Sequence, residues 1–171
     1  RRARPSGRAV AASRDSRPRP AAPPDRTFAE GDSVGGLTVL DTPGHAPDHV
    51  AFEATGGVVC GDLAVASGSV AVAAPEGDVR TYLVALRRLL ARDPDRLLPG
   101  HGPVVEAPRV VIRRLYFHRL ERERRIERAV REGARSIEAV VDAAYDRDLG
   151  DDRALAAGTV RAHLEKLAAR G

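Results

Sequence analysis

Three short β-rich runs in this chain each break off at a glycine turn, and each turn carries a side chain of a type that metals favour. "LTVLDTPGH" ends in His45, "GGVVCGD" ends in Asp62, and "DRLLPGHG" carries His101 before its closing glycine. A polar side chain just past a strand, set beside glycine, is how an open sheet presents ligands along one rim. The three residues lie 17 and 39 positions apart, so strands must return to a common edge to bring them together. Glycine beside each permits backbone angles and close approaches that other residues resist. A single Gly-His or Gly-Asp step is ordinary in a surface turn. The recurrence of His, Asp and His in order points to a divalent cation such as Zn²⁺, which accepts imidazole and carboxylate together.

The surrounding pattern predicts an α/β (α+β) chain. "HVAFEA" alternates as a second strand between the first two runs, and "SGSVAVAAPEGD" reads as a loop with a short strand. "DVRTYLVALRRLLARD" is an amphipathic helix, with Asp78 as its N-cap and Val79, Tyr82, Leu83, Leu86 and Leu90 on one face. Past Pro108 the periodicity is helical throughout: a long charged segment closed near Gly133, a short helix begun by Ser136, and a last one with Val160, Leu164 and Leu167 on one stripe. The expected divisions are an Arg/Pro-rich leader over 1–27, a mixed unit over 28–108, and a small all-α or winged-helix-like module over 109–171. No internal repeat is evident.

Charge is unevenly spread. The +6 of residues 1–28 and the +6 of 108–135 flank a −6 stretch over 29–107, and residues 136–171 carry −2. An acidic centre with few aromatics is a poor nucleic-acid platform and a reasonable home for a cation. The leader has no aromatic residue to stack on bases, and "ERERRIERAVRE" interleaves Glu and Arg as a self-paired, solvated helix does. No apolar run approaches the roughly twenty residues a membrane-crossing helix needs, and the Arg-rich start, with no apolar segment behind it, is not expected to be a secretory signal. The lone Cys60 excludes an internal disulfide framework and fits a reducing cytoplasm. Arg outnumbers Lys 27 to 1 and Ala is abundant, which fits a GC-rich bacterial genome. There is no methionine and residue 1 is Arg, so the chain is expected to be processed or part of something longer.

The other candidates are read more plainly. His49 follows His45 by four, but Pro43, Gly44 and Pro47 argue against a helix there, so His49 is a supporting or structural residue. Asp48 is a candidate to orient an imidazole by accepting its second N–H. Cys60 is a buried strand residue, and His118 and His163 are solvated or packing residues on helices.

The motifs "LTVLDTPGHAPDHVAF", "VVCGDLAV", "EGDVRTYLVALRRL" and "LLPGHGPVV" resemble the second half of the metallo-β-lactamase superfamily hydrolase domain. The helices that follow resemble the winged-helix module of its β-lactamase-like endoribonuclease branch, related to glyoxalase II; the likeness runs from about Leu37 to Gly171. It implies the C-terminal half of an αββα sandwich followed by a winged-helix-like module. It also implies a hydrolase in which His45 binds a first metal, Asp62 bridges two, and His101 binds the second. The family's H-x-H-x-D-H motif, which supplies the remaining ligands and the water-positioning aspartate, is absent from these 171 residues. An N-terminally truncated chain is therefore expected, with one zinc or none, slight turnover, and part of its sheet uncovered. The implied substrate is a small thioester, ester or lactam, or RNA. A rival reading is a nucleic-acid-binding helical module beside a decayed catalytic half, and a third is a truncated product without function.

Overall fold

The expected β-runs form one sheet in the computed structural model, which describes residues 27–169. The leader reading falls on 1–27, of which all but Thr27 lie outside the described residues. The strands are β1 (Ser33–Val34), β2 (Leu37–Asp41), β3 (Val50–Ala54), β4 (Gly57–Gly61) and β5 (Leu97–Pro99). They lie in the order β1-β2-β3-β4-β5. The first four form an antiparallel meander, and β5 joins parallel to β4. A parallel neighbour needs a crossover, and helix α1 (Val79–Arg92) lies within it. The consequence for the site is directional. Two antiparallel steps return β4 to the heading of β2, and β5 shares it. The carboxyl ends of β2, β4 and β5 therefore meet at one edge.

Register assigns each face of the sheet. Leu40 pairs with Ala51, and Val58 with Leu97. All four are buried and join Cys60 in one cluster with Tyr82, Leu86 and Leu89 of α1. The opposite row runs Val39, Phe52, Val59, Leu98; Val39 is buried, whereas Val59 and Leu98 are exposed. A one-residue step in a strand changes face, so one side of the sheet is covered by helix and the other shows apolar side chains to solvent on β4 and β5. Helix α1 begins as expected, with the Asp78 carboxylate accepting from the Thr81 N–H at 2.7 Å. Its buried stripe includes Ala85 and Leu89, whereas Leu90 is only partly covered.

The segment read as a loop with a short strand, residues 67–78, contains no strand. Val70 and Val72 are buried there, and its backbone is satisfied from outside any ladder. The Ala71 carbonyl accepts from His45, and the Ala74 N–H donates to Gly158 at 3.0 Å.

Beyond β5 come α2 (Pro108–Arg131), α3 (Ile137–Ala144), a 3₁₀ turn (Gly150–Asp152) and α4 (Arg153–Ala168). No strand is found among the described residues after β5, so the winged-helix-like expectation meets three helices without a paired wing. Ile126, Ala129, Val140, Val141 and Val160 form a second apolar cluster here. Ile112, Leu115 and Ala162 join the first. The α4 stripe of Val160, Leu164 and Leu167 packs on the second cluster, and the buried face of α4 is wider than the stripe because the helix packs against α1, α2 and α3 at once. It buries Ala162, His163 and Lys166 as well as Val160. Helix α2 is not simply a solvated, self-paired rod. Glu121 and Arg125 do pair at 3.4 Å on its surface, yet Arg119 and Glu123 are 4% and 5% exposed. Glu123 faces Lys166 at 2.5 Å and His163 at 3.4 Å. Helical spacing alone cannot say which charges of such a row will be covered by a neighbour. No helix among the described residues is long and apolar enough to cross a membrane.

Candidate metal centre

The common edge of β2, β4 and β5 brings the three expected residues together. The Asp62 carboxylate stands between two imidazoles. His45 Nε2 lies 3.7 Å from Oδ2, and His101 Nε2 lies 3.7 Å from Oδ1. His45 and Asp62 are about one-third exposed, whereas the His101 side chain is 83% exposed, at the mouth of the site.

Each turn is held by a specific contact. Gly44 lies against the backbone of α1, and a Cβ there would sit 2.4 Å from both Cα and N of Tyr82. Its φ of +136° is one that L side chains rarely adopt. The Gly44 carbonyl accepts from the Asp78 N–H at 2.8 Å, so the helix N-terminus and the His45 turn are one unit. Tyr82, fully buried, donates its hydroxyl proton to the Leu63 carbonyl at 3.0 Å and pins the turn that carries Asp62. Burial pushes that phenol up to about 12, so it stays a donor. Gly61, at φ +50°, lets His49 approach; a Cβ there would sit 2.9 Å from His49 Nε2. The Gly100 N–H donates to the Gly61 carbonyl at 2.9 Å, which fastens the His101 turn to the Asp62 turn.

His49 is not a third imidazole in the cluster. Its Nε2 accepts from the Asp62 N–H at 3.2 Å, so the ring proton is on Nδ1, which donates to Thr42 Oγ1 at 2.8 Å. Both nitrogens are used, and the ring cross-braces the first two turns. Burial, and then the neighbouring His45, lower its pKa, which favours this neutral form. The group that orients His45 is the Ala71 carbonyl at 2.7 Å from Nδ1 rather than the Asp48 carboxylate. Asp48 acts as a nearby negative charge on His49. Cys60 is buried, with its thiol pushed up to about 11 chiefly by burial, which disfavours the thiolate a metal would need. Sequence reasoning missed Ala71 and Tyr82. A backbone acceptor 26 residues from its imidazole leaves no trace in residue type, and Tyr82 reads as one more apolar helix position.

The donor set fits a cation. A carbonyl oxygen only accepts, so it places the His45 ring proton on Nδ1 and leaves a lone pair on Nε2. That lone pair faces a carboxylate oxygen, an arrangement that a cation between them satisfies. The two imidazoles face different oxygens of Asp62. Among the described residues no group of three or more His, Cys, Asp or Glu is placed to hold one ion.

Comparison with known proteins bears on the fold and the family. The family model of the metallo-beta-lactamase superfamily matches residues 1–101. A beta-lactamase-like protein 2 homolog of Drosophila melanogaster is 32% identical over 139 residues, which cover 79% of this chain and 46% of that protein. A probable metallo-hydrolase of Bacillus subtilis (strain 168) is 32% identical over 111 residues, 59% of this chain and 35% of that one. Among solved structures, a metallo-beta-lactamase family protein from Thermus thermophilus superposes with a TM-score of 0.73 at 27% identity, over 87% of this chain and 51% of that chain. A beta-lactamase domain protein from Burkholderia ambifaria superposes with a TM-score of 0.75 at 29% identity, over 88% and 49%. The chain spans about half the length, or less, of these relatives.

Proposed function

The chain belongs to the metallo-β-lactamase superfamily, and from that premise we propose that it is part of a metal-dependent hydrolase whose metal is held by His45, Asp62 and His101. The observation that carries this reading is the Asp62 carboxylate, flanked on one oxygen by His45 Nε2 and on the other by His101 Nε2. A carboxylate so flanked is suited to being shared between two cations, and imidazole with carboxylate favours zinc. Zinc held by these residues would supply a water of near-neutral pKa, and so hydroxide for attack on a thioester, ester, lactam or phosphodiester.

The protein's own contribution is orientation. The Ala71 carbonyl sets the tautomer of His45, and His49 holds the Asp62 backbone N–H beneath the carboxylate. Partners of this kind fix ligand direction and tune affinity. Three donors spread over two ion positions bind weakly, so this chain is expected to hold a single zinc weakly and to turn over slightly. The substrate is chosen by surrounding loops rather than by the metal chemistry.

Calorimetric titration of zinc into this chain and into Asp62→Asn tests the assignment. Saturable binding is expected in the wild type and lost in the variant, which keeps the side-chain shape but not the charge. Equal affinity in the two proteins would show that Asp62 is not a ligand.

A further inference from the structure

A second cavity, of about 300 Å³, opens where the coil at 69–71 meets the helical module. Its charged and polar walls are His118, Arg119, Arg122, Tyr145, Arg147 and Asp152. Arg147 is paired with Asp152 at 3.0 Å, so their charges offset. Arg119 and Arg122 have no such partner: among the described residues no carboxylate forms an ion pair with either. Arg119 is 4% exposed, and one of its terminal N–H groups donates to the Val70 carbonyl. A guanidinium has five N–H donors, so most of its capacity is unused. Arg122 lies 3.6 Å over the Tyr145 ring and donates to the Ala144 carbonyl at 2.5 Å. That clamp holds its planar fork in one orientation. Arg119 is a buried cation with no carboxylate in an ion pair, which is costly; Arg122 is half-buried and feels the Asp146 carboxylate, which is itself paired with Arg125, so the cavity keeps an excess of positive charge.

The cavity is also placed with respect to the proposed centre. Val70 and Ala71 are consecutive: the Val70 carbonyl takes Arg119, and the Ala71 carbonyl takes His45. One residue of backbone therefore separates the unpaired guanidinium from the imidazole that orients toward Asp62.

We propose that this cavity binds a phosphate group carried by the substrate, with Arg119 and Arg122 as its contacts, so that the substrate is a phosphorylated molecule anchored here and cleaved at the neighbouring rim. The proposal rests on the hydrolase reading for the cleavage and on the cavity alone for the anchoring. Guanidinium forks match phosphate oxygens in pairs, and two of them on one wall, neither in an ion pair with a carboxylate among the described residues, match an anionic phosphate group. Burial, followed by the surrounding arginines, lowers the pKa of His118, so at neutral pH that ring adds no charge and remains a hydrogen-bonding group. Anchoring at a distance from the reacting bond is how binding energy is turned into orientation of that bond.

The test is a titration of inorganic phosphate followed by ³¹P NMR at low ionic strength, on the wild type, Arg119→Met, Arg122→Leu and Asp62→Asn. Arg119→Met keeps an unbranched apolar stem at the buried position without the charge, and Arg122→Leu guards against its failing to fold. Phosphate is expected to saturate the wild type and Asp62→Asn alike, and to bind about tenfold more weakly or worse in either arginine variant. No saturation in the wild type, or equal binding in the folded arginine variants, overturns the proposal. Loss of binding in Asp62→Asn alone also overturns it, by moving phosphate to the rim, while the zinc titration above judges the metal reading separately. Adenosine monophosphate and a short oligoribonucleotide serve as further arms. Equal affinity marks a terminal phosphate as the anchored group, and tighter, steeply salt-dependent binding of the strand marks a backbone phosphodiester.

Discussion

Gly44→Ala is the substitution whose cost can be worked most directly from the structure. The new Cβ would sit 2.4 Å from Tyr82 Cα and N, where ordinary van der Waals contact is 3.4–4 Å. The turn and helix α1 must therefore part by about 1 Å. Neither moves freely, because Tyr82, Leu86 and Leu89 fix the helix in the core. Overpacking of this kind costs about 1–3 kcal/mol, the positive φ adds about 1–3 kcal/mol, and the strained Asp78–Gly44 hydrogen bond loses up to about 1 kcal/mol. The expected total is about 2–7 kcal/mol, a large share of the roughly 5–15 kcal/mol that stabilises a domain. Gly56→Ala is the control. Gly56 has φ +83° with nothing within 4 Å of its would-be Cβ, so it bears the backbone term alone. Urea unfolding of both variants should place Gly44→Ala at least about 1 kcal/mol below Gly56→Ala. Zinc affinity should fall only in the former, because His45 is carried on the displaced turn. Equal stability of the two variants would refute the claim that helix packing shapes the site.

Other perturbations probe separate parts of the network. His49→Leu removes an acceptor from the Asp62 N–H and a donor to Thr42; it should lower stability by about 1–3 kcal/mol and weaken zinc binding by about 10–100-fold, and unchanged calorimetric affinity would assign His49 to packing only. Glu123→Ala leaves the Lys166 ammonium buried without its 2.5 Å partner, at about 3–5 kcal/mol; the double variant Glu123→Met with Lys166→Met should recover most of this in urea unfolding, and failure to recover would contradict a desolvated pair. His163 is fully buried, and burial first, then the Arg119 charge, lowers it from 6.5 to about 4. The unfolded chain therefore takes up this proton first. The contribution, about 3 kcal/mol, is complete above pH 6.5 and is lost as pH falls from there to about 4. His163→Leu should flatten the stability curve across that window, and parallel curves for variant and wild type would show that His163 does not set it.

The legible part of this protein is local. Pro43-Gly44-His45, Gly61-Asp62 and Pro99-Gly100-His101 announce themselves because turn chemistry depends on a few adjacent residues. The cap at Asp78 and the stripe through Val79, Tyr82 and Leu86 follow from a period of 3.6. His49 could be set apart from the candidate ligands because Pro47 and Gly44 forbid the helix that would align it with His45. The order of His, Asp and His was likewise present in the sequence, whereas their meeting was not. That meeting depends on strand direction: two antiparallel steps from β2 to β4 and one helical crossover to β5 put three turns on one edge. Tertiary structure alone also chose the Ala71 carbonyl over Asp48 as the partner of His45, buried Arg119, Glu123, His163 and Lys166 out of a row of similar charges, and closed a cationic cavity between two parts of the chain. Those outcomes turn on which surfaces meet. A residue's own type and its near neighbours carry no record of what will be packed against it from far along the chain.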